Sequence, residues 1–216
     1  MIRKTEKFVN AQLGDDVTGH DFYHVDRVRK LALYIADEEK NGDPFVIEMA
    51  ALLHDIPDEK LNDSTFIGME KLNSFLDTIP LTNDQRTQIV NIINKISFKG
   101  GNEAELTTFE EKAVRDADRL DAIGAIGIAR VFAYGGRKGQ AIYDPKIEIR
   151  ENMTVEQYRK GRSASIQHFY EKLLKLKALM HTETAKKIAI ERHLWMEKYL
   201  EQFFKEWNGD NEIINS

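Results

Sequence analysis

Apolar positions in this chain recur at three- and four-residue intervals almost from end to end. Val25, Val28, Leu31, Ala32 and Ile35 trace one face of a helix in the segment that begins near residue 20. Asp43 followed by Pro44 makes an N-cap with proline at the first helical position, opening a mostly apolar helix that carries Phe45 to His54. Pro57 disfavours helical geometry at Ile56, so that helix stops just after Asp55. Thr82 with Gln85 opens a helix ahead of Ile89, Val90, Ile92 and Ile93, and Thr108 with Glu111 opens one leading into Asp116 and Asp118. The run from Ala122 to Phe132 reads as a buried helix whose two glycines allow close packing.

From Gly135 to about Asn152 the pattern is least helical, and a loop of that length commonly serves as a lid or binding loop. Thr154 with Gln157 starts another helical stretch. Two long helices are then predicted, over about 162–180 and 183–206, with Thr182 as the cap between them. No internal repeat and no strand-like alternation is present. The pattern predicts an all-α fold, a single helical domain over 1–207, with a frayed tail over 208–216.

Composition narrows the function. The 216 residues are enough for one domain with a substantial core, and 42% hydrophobic with 31% charged is ordinary for a soluble globular protein. Zero cysteines remove disulfides, thiolate ligands and cysteine nucleophiles together. The charged start Met-Ile-Arg-Lys-Thr-Glu-Lys lacks the apolar stretch of a signal peptide, and no run approaches a membrane span. The expectation is a cytoplasmic protein without membrane contact. A net charge of −5 gives no indication of nucleic-acid binding. The charge is uneven, however. Arg159, Lys160, Arg162, Lys172, Lys175, Lys177, Lys186 and Lys187 face only Glu171 and Glu183 over 159–187, either as a solvated helix face or as a rim that attracts a polyphosphate.

The candidate chemistry lies in three places. His20 and His24 stand one helical turn apart; His54 and Asp55 are adjacent; Asp116, Asp118 and Asp121 crowd six residues between apolar runs. On a helix 118 and 121 share a face while 116 points elsewhere, and three such carboxylates would repel one another without a cation. Two imidazoles and two carboxylates make a mixed nitrogen and oxygen site suited to one divalent ion, Mn, Mg, Ni, Fe or Zn, with Mn or Mg favoured. Four protein ligands in an octahedral site leave two positions for water and substrate, as a hydrolase requires. P-loop, nucleophile-elbow and dinucleotide fingerprints are absent.

Three segments carry a resemblance: Asp21-Phe-Tyr-His24-Val-Asp-Arg27-Val28, Ala50-Ala-Leu-Leu-His54-Asp55-Ile56, and Asp116-Ala-Asp118-Arg119-Leu-Asp121-Ala122. Together they resemble the signature segments of the HD-domain metal-dependent phosphohydrolases, and in particular the small stand-alone bacterial members of the YpgQ/YedJ kind. The likeness runs from about residue 20 to about 205. It implies that the metal ligands are His24, His54, Asp55 and Asp118, and leaves His20 at the helix start, beside the site or merely exposed. It makes Asp121 a nearby helper with a weaker place in substrate binding, and Arg27 a residue that either binds phosphate or holds a carboxylate in place.

After the His-Asp pair come Asp58, Glu59 and Lys60. In the alarmone-hydrolase branch an acidic pair occupies this place; here its order is reversed and a lysine follows. Asp58 is the candidate general base and Lys60 a partner for a phosphate oxygen. Lys172, Lys175 and the pair Arg192-His193 would reach a triphosphate if the C-terminal helices, about 154–206, fold back over a metal site built from about 20–121.

The resemblance implies hydrolysis of a small-molecule nucleotide substrate, foremost a (deoxy)nucleoside triphosphate cleaved to monophosphate and pyrophosphate. An alarmone pyrophosphohydrolase, a 5′-nucleotide phosphomonoesterase and a non-catalytic nucleotide-sensing module are the alternatives. The apolar helices of the C-terminal half would serve a homodimer.

Overall fold

The computed structural model describes residues 1–13, 16, 19–58, 61–96, 103–151, 153–154, 156–157, 161 and 163–209. Among them the regular structure is entirely helical. In chain order the helices are α1 (Ile2–Leu13), α2 (Phe22–Glu39), α3 (Pro44–Leu53), α4 (Thr65–Leu76), α5 (Asn83–Lys95), α6 (Phe109–Asp121) and α7 (Gly124–Arg137). Then follow α8 (Ser165–Glu171), a 3₁₀ segment (Leu173–Leu179) and α9 (Glu183–Asn208).

Helix α3 is the axis of the molecule. Val46, Ile47, Met49 and every residue from Ala50 to Leu53 are fully buried, so most of its circumference faces the core and Glu48, beside Arg29, is its charged residue. It is surrounded by α1, α2, α5 and α6. The flanking α2 contributes Val25, Val28, Ala32 and Ile35 to the same core, on the face the sequence spacing indicates. Because α2 packs on both α3 and α6, three short stretches far apart in sequence are brought to one end of the bundle.

The helix starts follow local chemistry. Asp43 accepts from the amides of Phe45 and Val46 with Pro44 at the first turn. Thr82 with Gln85 and Thr108 with Glu111 form complete reciprocal capping boxes, and Thr182 accepts from Ala185. Thr154 and Gln157 make the same reciprocal pair of bonds, 2.9 and 3.2 Å long.

Three elements differ from the pattern-based reading. The predicted helix over 162–180 breaks at Lys172, whose φ of −136° and ψ of −61° are not helical. The last helical residue before the break is Glu171, whose buried carboxylate accepts from Arg150 Nε and Nη2, both at 2.7 Å, and from Ser163 Oγ at 3.0 Å. This anchor ties the 138–151 loop to α8, and the chain continues as a 3₁₀ turn.

Next, α7 is amphipathic rather than buried all round. Ala125, Ile126 and Ala129 are exposed, while Gly127, Val131 and Gly135 face inward. Gly124 permits the close approach expected of this run, since a Cβ there would lie 3.0 Å from Arg192 Cβ on α9. The helix also continues two residues past Gly135 before the loop begins. Finally, α9 extends to Asn208 and is closed by Gly209 in the left-handed conformation, so the order persists past the expected fraying point. Residues 210–216 lie outside the described residues. None of the described helices is long and apolar enough to cross a membrane.

Candidate metal centre

His24 sits in the first turn of α2, where Asp21 caps the helix by accepting from the His24 amide at 2.8 Å. This fixes the backbone, and burial fixes the ring: His24 is 1% exposed. His54 is the C-cap of α3, one residue past its last helical position. There its Nδ1 meets the Ala51 carbonyl at 2.7 Å. A carbonyl can only accept, so Nδ1 carries the proton and the lone pair of the neutral ring lies at Nε2. The chain then turns, with Ile56 donating to Leu53 and Asp58 donating to Asp55. Asn62 braces the turn by donating to the carbonyls of Ile56 and Asp58. The adjacent side chains of His54 and Asp55 thereby come to one spot.

The ligand atoms of His24, His54 and Asp55 all lie within 4.8 Å of one another. His24 Nε2 is 3.3 Å from Asp55 Oδ2, and His54 Nε2 is 3.4 Å from Asp55 Oδ1. Asp118, on α6, places Oδ1 at 3.5 Å from His24 Nε2 and 3.7 Å from His54 Nε2. Two ligands at right angles, each about 2.1 Å from one ion, stand about 3 Å apart. The observed spacing is close to that. His54 Nε2 and Asp55 Oδ2 are buried without a hydrogen-bond partner, which is costly for polar atoms unless a cation completes them. The donor set therefore fits a divalent ion, with Asp118, whose side chain is 32% exposed, on the open side.

Behind His24 lies a charged support. Asp121 Oδ2 accepts from His24 Nδ1 at 2.7 Å, leaving Nε2 to face the centre. Asp121, only 1% exposed, is held in turn by Arg27 through Nε at 2.6 Å and Nη2 at 3.1 Å, and by Arg130 Nη1 at 2.7 Å. Burial works against a charged imidazole at His24. The hydrogen bond that His24 gives to Asp121 and the nearby Asp55 carboxylate outweigh it and push the pKa up to about 9. Burial likewise opposes ionised Asp55, yet the imidazoles of His54 and His24 hold it well below the usual carboxylate range. Asp121 overcomes its own burial through His24 and Arg27 and is also held low.

The predicted site residues thus separate into layers. His24, His54, Asp55 and Asp118 converge. Arg27 has its guanidinium on Asp121, which selects the carboxylate-holding geometry of its two expected placements. Asp121 stands behind His24, removed from the open side. The third acidic residue, Asp116, is fully buried and accepts from the amides of His181 and Thr182 at the start of α9. The expected mutual repulsion of three carboxylates is therefore relieved mostly by protein groups, with Asp118 alone turned to the centre.

Asp58 lies in the braced turn. The Lys172 ammonium is in electrostatic reach of both Asp118 and Asp58, with Arg130 and Arg119 also acting on it. Burial pushes its pKa down, Asp118 opposing. Lys175 is exposed on the 3₁₀ turn, and Lys186 pairs with Glu183 on the surface. Glu59 and Lys60, with Arg159, Lys160 and Arg162 of the basic stretch, lie outside the described residues. Arg192 and His193 do not reach the centre. Arg192 donates to the Leu120 carbonyl at 2.6 Å, and buried His193 faces Glu197 at 3.3 Å.

Arg130 and Tyr134 on α7 are the residues that sequence reasoning missed. A cation inside an otherwise apolar run was the available signal for Arg130. His20 stands nearby, its ring centroid 6.0 Å from that of His24 and 6.2 Å from that of Tyr134.

Comparison with known proteins agrees with this geometry. Residues 21–123, which span all four converging side chains, match the HD domain. YpgQ of Bacillus subtilis is 38% identical over 204 residues, covering 94% of this chain and 91% of that protein. The crystal structure of YpgQ in complex with ADP superposes with a TM-score of 0.75 at 34% identity, covering 95% of this chain and 97% of the other. A Lactobacillus plantarum structure gives a TM-score of 0.87 at 40% identity, covering 96% and 97%. An HD-superfamily hydrolase from Bacillus thuringiensis gives 0.73 at 46% identity, covering 96% of each chain.

Proposed function

The chain belongs to the HD-domain family, and from that premise we propose that it is a metal-dependent phosphohydrolase acting on nucleotides. The observation that carries the reading is the buried convergence of His24 Nε2, His54 Nε2 and Asp55, with Asp118 Oδ1 at 3.5 and 3.7 Å from the two imidazoles. Two of the enclosed atoms lack any hydrogen-bond partner. The relatives include an HD-superfamily hydrolase and a protein crystallised with ADP, which supports a nucleotide as the class of substrate.

A divalent ion held by His24, His54, Asp55 and Asp118 would supply Lewis acidity, polarising a phosphoryl oxygen and acidifying water. The protein's own part is positional and electrostatic. Asp121, gripped by Arg27 and Arg130, fixes the tautomer and direction of His24; the Ala51 carbonyl does so for His54. Asp58, on the braced turn, accepts the proton of the attacking water on its carboxylate. Lys172 balances the charge of the polyphosphate. Water oxygen bonds to the α-phosphorus of a nucleoside triphosphate while the bond to the bridging oxygen breaks, releasing pyrophosphate and a monophosphate.

The experiment is product identification by chromatography on Mn-reconstituted protein. The substrates offered are deoxynucleoside and ribonucleoside triphosphates, a guanosine tetraphosphate and nucleoside monophosphates, with Asp118→Ala as control. Monophosphate plus pyrophosphate from a triphosphate is the expected result. Exclusive release of phosphate from monophosphates would move the reaction to a phosphomonoesterase. Absence of turnover with metal bound would contradict the enzymatic reading.

A further inference from the structure

Three rings lie in sequence at the edge of the metal centre. The His24 ring, buried, is 6.0 Å from His20 at an interplanar angle of 71°; His20 is 6.2 Å from Tyr134 at 67°. His20 and Tyr134 are each only partly buried, whereas His24 and Asp121 behind them are closed off. Two rings set nearly at right angles form a corner. A planar aromatic group can lie on one face there and meet the other ring edge-on, the arrangement that ring quadrupoles favour.

The corner is built on the same supports as the centre. Arg130 and Tyr134 are one helical turn apart and so share a face of α7. Arg130 binds Asp121, which ties that face to His24. On the other side Gly19 adopts a φ of +85°, and a Cβ there would be 2.7 Å from Arg130 Cγ. Only glycine lets the backbone lie on the arginine stem and deliver His20 to the corner, where Asp16 accepts from its amide at 2.8 Å. One turn beyond Tyr134, the Lys138 ammonium is 5.8 Å from its ring centroid.

Resting on the nucleotide reading above, we propose that the His20–Tyr134 corner is the nucleoside subsite, where the base stacks while the phosphates lie over the Asp118 and Lys172 side. The groups that divide this way are aromatic surface on α7 and before α2, and cationic charge beside Asp118 and Asp58. Stacking accepts any base, so the corner fixes where the nucleoside lies and leaves base choice broad.

The test compares ADP with inorganic pyrophosphate, the same diphosphate without a nucleoside, by calorimetric titration of the Mn-loaded protein. ADP is expected to bind wild type more tightly than pyrophosphate. Tyr134→Ala should weaken ADP about 10-fold and leave pyrophosphate within about twofold, because an aromatic ring under a base contributes that order of affinity. Tyr134→Phe, which keeps the ring, should retain most of the ADP affinity, and this separates stacking from a folding defect. ADP binding unaffected by Tyr134→Ala, or pyrophosphate weakened in parallel with ADP, overturns the corner while leaving the nucleotide reading in place. Failure of wild type to bind ADP at all overturns both.

Discussion

At the scale of single residues, the centre depends on contacts that span the chain. His24 and Asp121 are 97 positions apart, yet they share a 2.7 Å hydrogen bond, and Arg27 reaches the same carboxylate across 94 positions. The residue types and their local spacing were legible in sequence; the partner of each side chain was not. Arg27 showed this directly, because its segment fitted a phosphate contact and a carboxylate contact equally. Arg130 was hidden for a related reason, as one cation in an apolar run gives no sign of which distant acid it meets. The layered arrangement makes a prediction for Asp121→Asn. Nδ1 of His24 loses its charged acceptor, and metal affinity measured by competition with a chelating dye should fall about 10- to 100-fold, the usual effect of removing such an orienting group. An unchanged affinity would mean that Asp121 serves only the core.

Helices were the easiest level to read, because their starts are encoded within four residues. The boxes at Thr82 and Thr108 occur where the pattern put them, and both partners of each bond are present. Thr108→Ala should lower stability by about 1 kcal/mol in denaturant titration, with Gly at the same place costing less. The break at Lys172 was not readable, and neither was the Arg150–Glu171 pair that adjoins it across 21 residues. An apolar spacing through Ile166, Phe169, Leu173 and Leu176 fits a continuous helix as well as it fits two short ones.

That pair also carries a pH dependence. Burial works against ionised Glu171, but the bonds from Arg150 and Ser163 prevail and lower its pKa below 4.5. A carboxylate lowered in the folded state contributes stability above its unfolded pKa and loses that contribution as pH falls through the folded value. Wild type should thus lose stability as pH drops below about 4.5, and Glu171→Gln should flatten this acid limb while costing about 2 kcal/mol at neutral pH. Parallel pH profiles for the two proteins would contradict the account.

For the whole molecule, the all-helical bundle and its family were visible from three short segments, because each must present polar side chains from an apolar helix. How the C-terminal elements meet the centre was less so. Among the described basic residues of the C-terminal elements, Lys172 is in electrostatic reach of Asp118, while Arg192 closes the end of α6. Since ligands from α2, the α3 turn and α6 converge, an ion binding them should stabilise the entire fold. At a free concentration about 100 times Kd the gain is about 2.7 kcal/mol, which corresponds to a rise in Tm of roughly 5–10 °C for a chain of this size.

Metal stoichiometry tests the central claim most directly. Wild type, His54→Ala and Asp118→Ala, each dialysed against Mn and analysed by inductively coupled plasma mass spectrometry, should differ sharply. One ion per wild-type chain is expected, with occupancy of both variants below about a tenth at the same free metal, because losing one of four ligands leaves the rest unable to compete with water. An Asp118→Ala protein that retains a full equivalent of metal, or a wild-type protein that holds none, would contradict the assignment of these four residues.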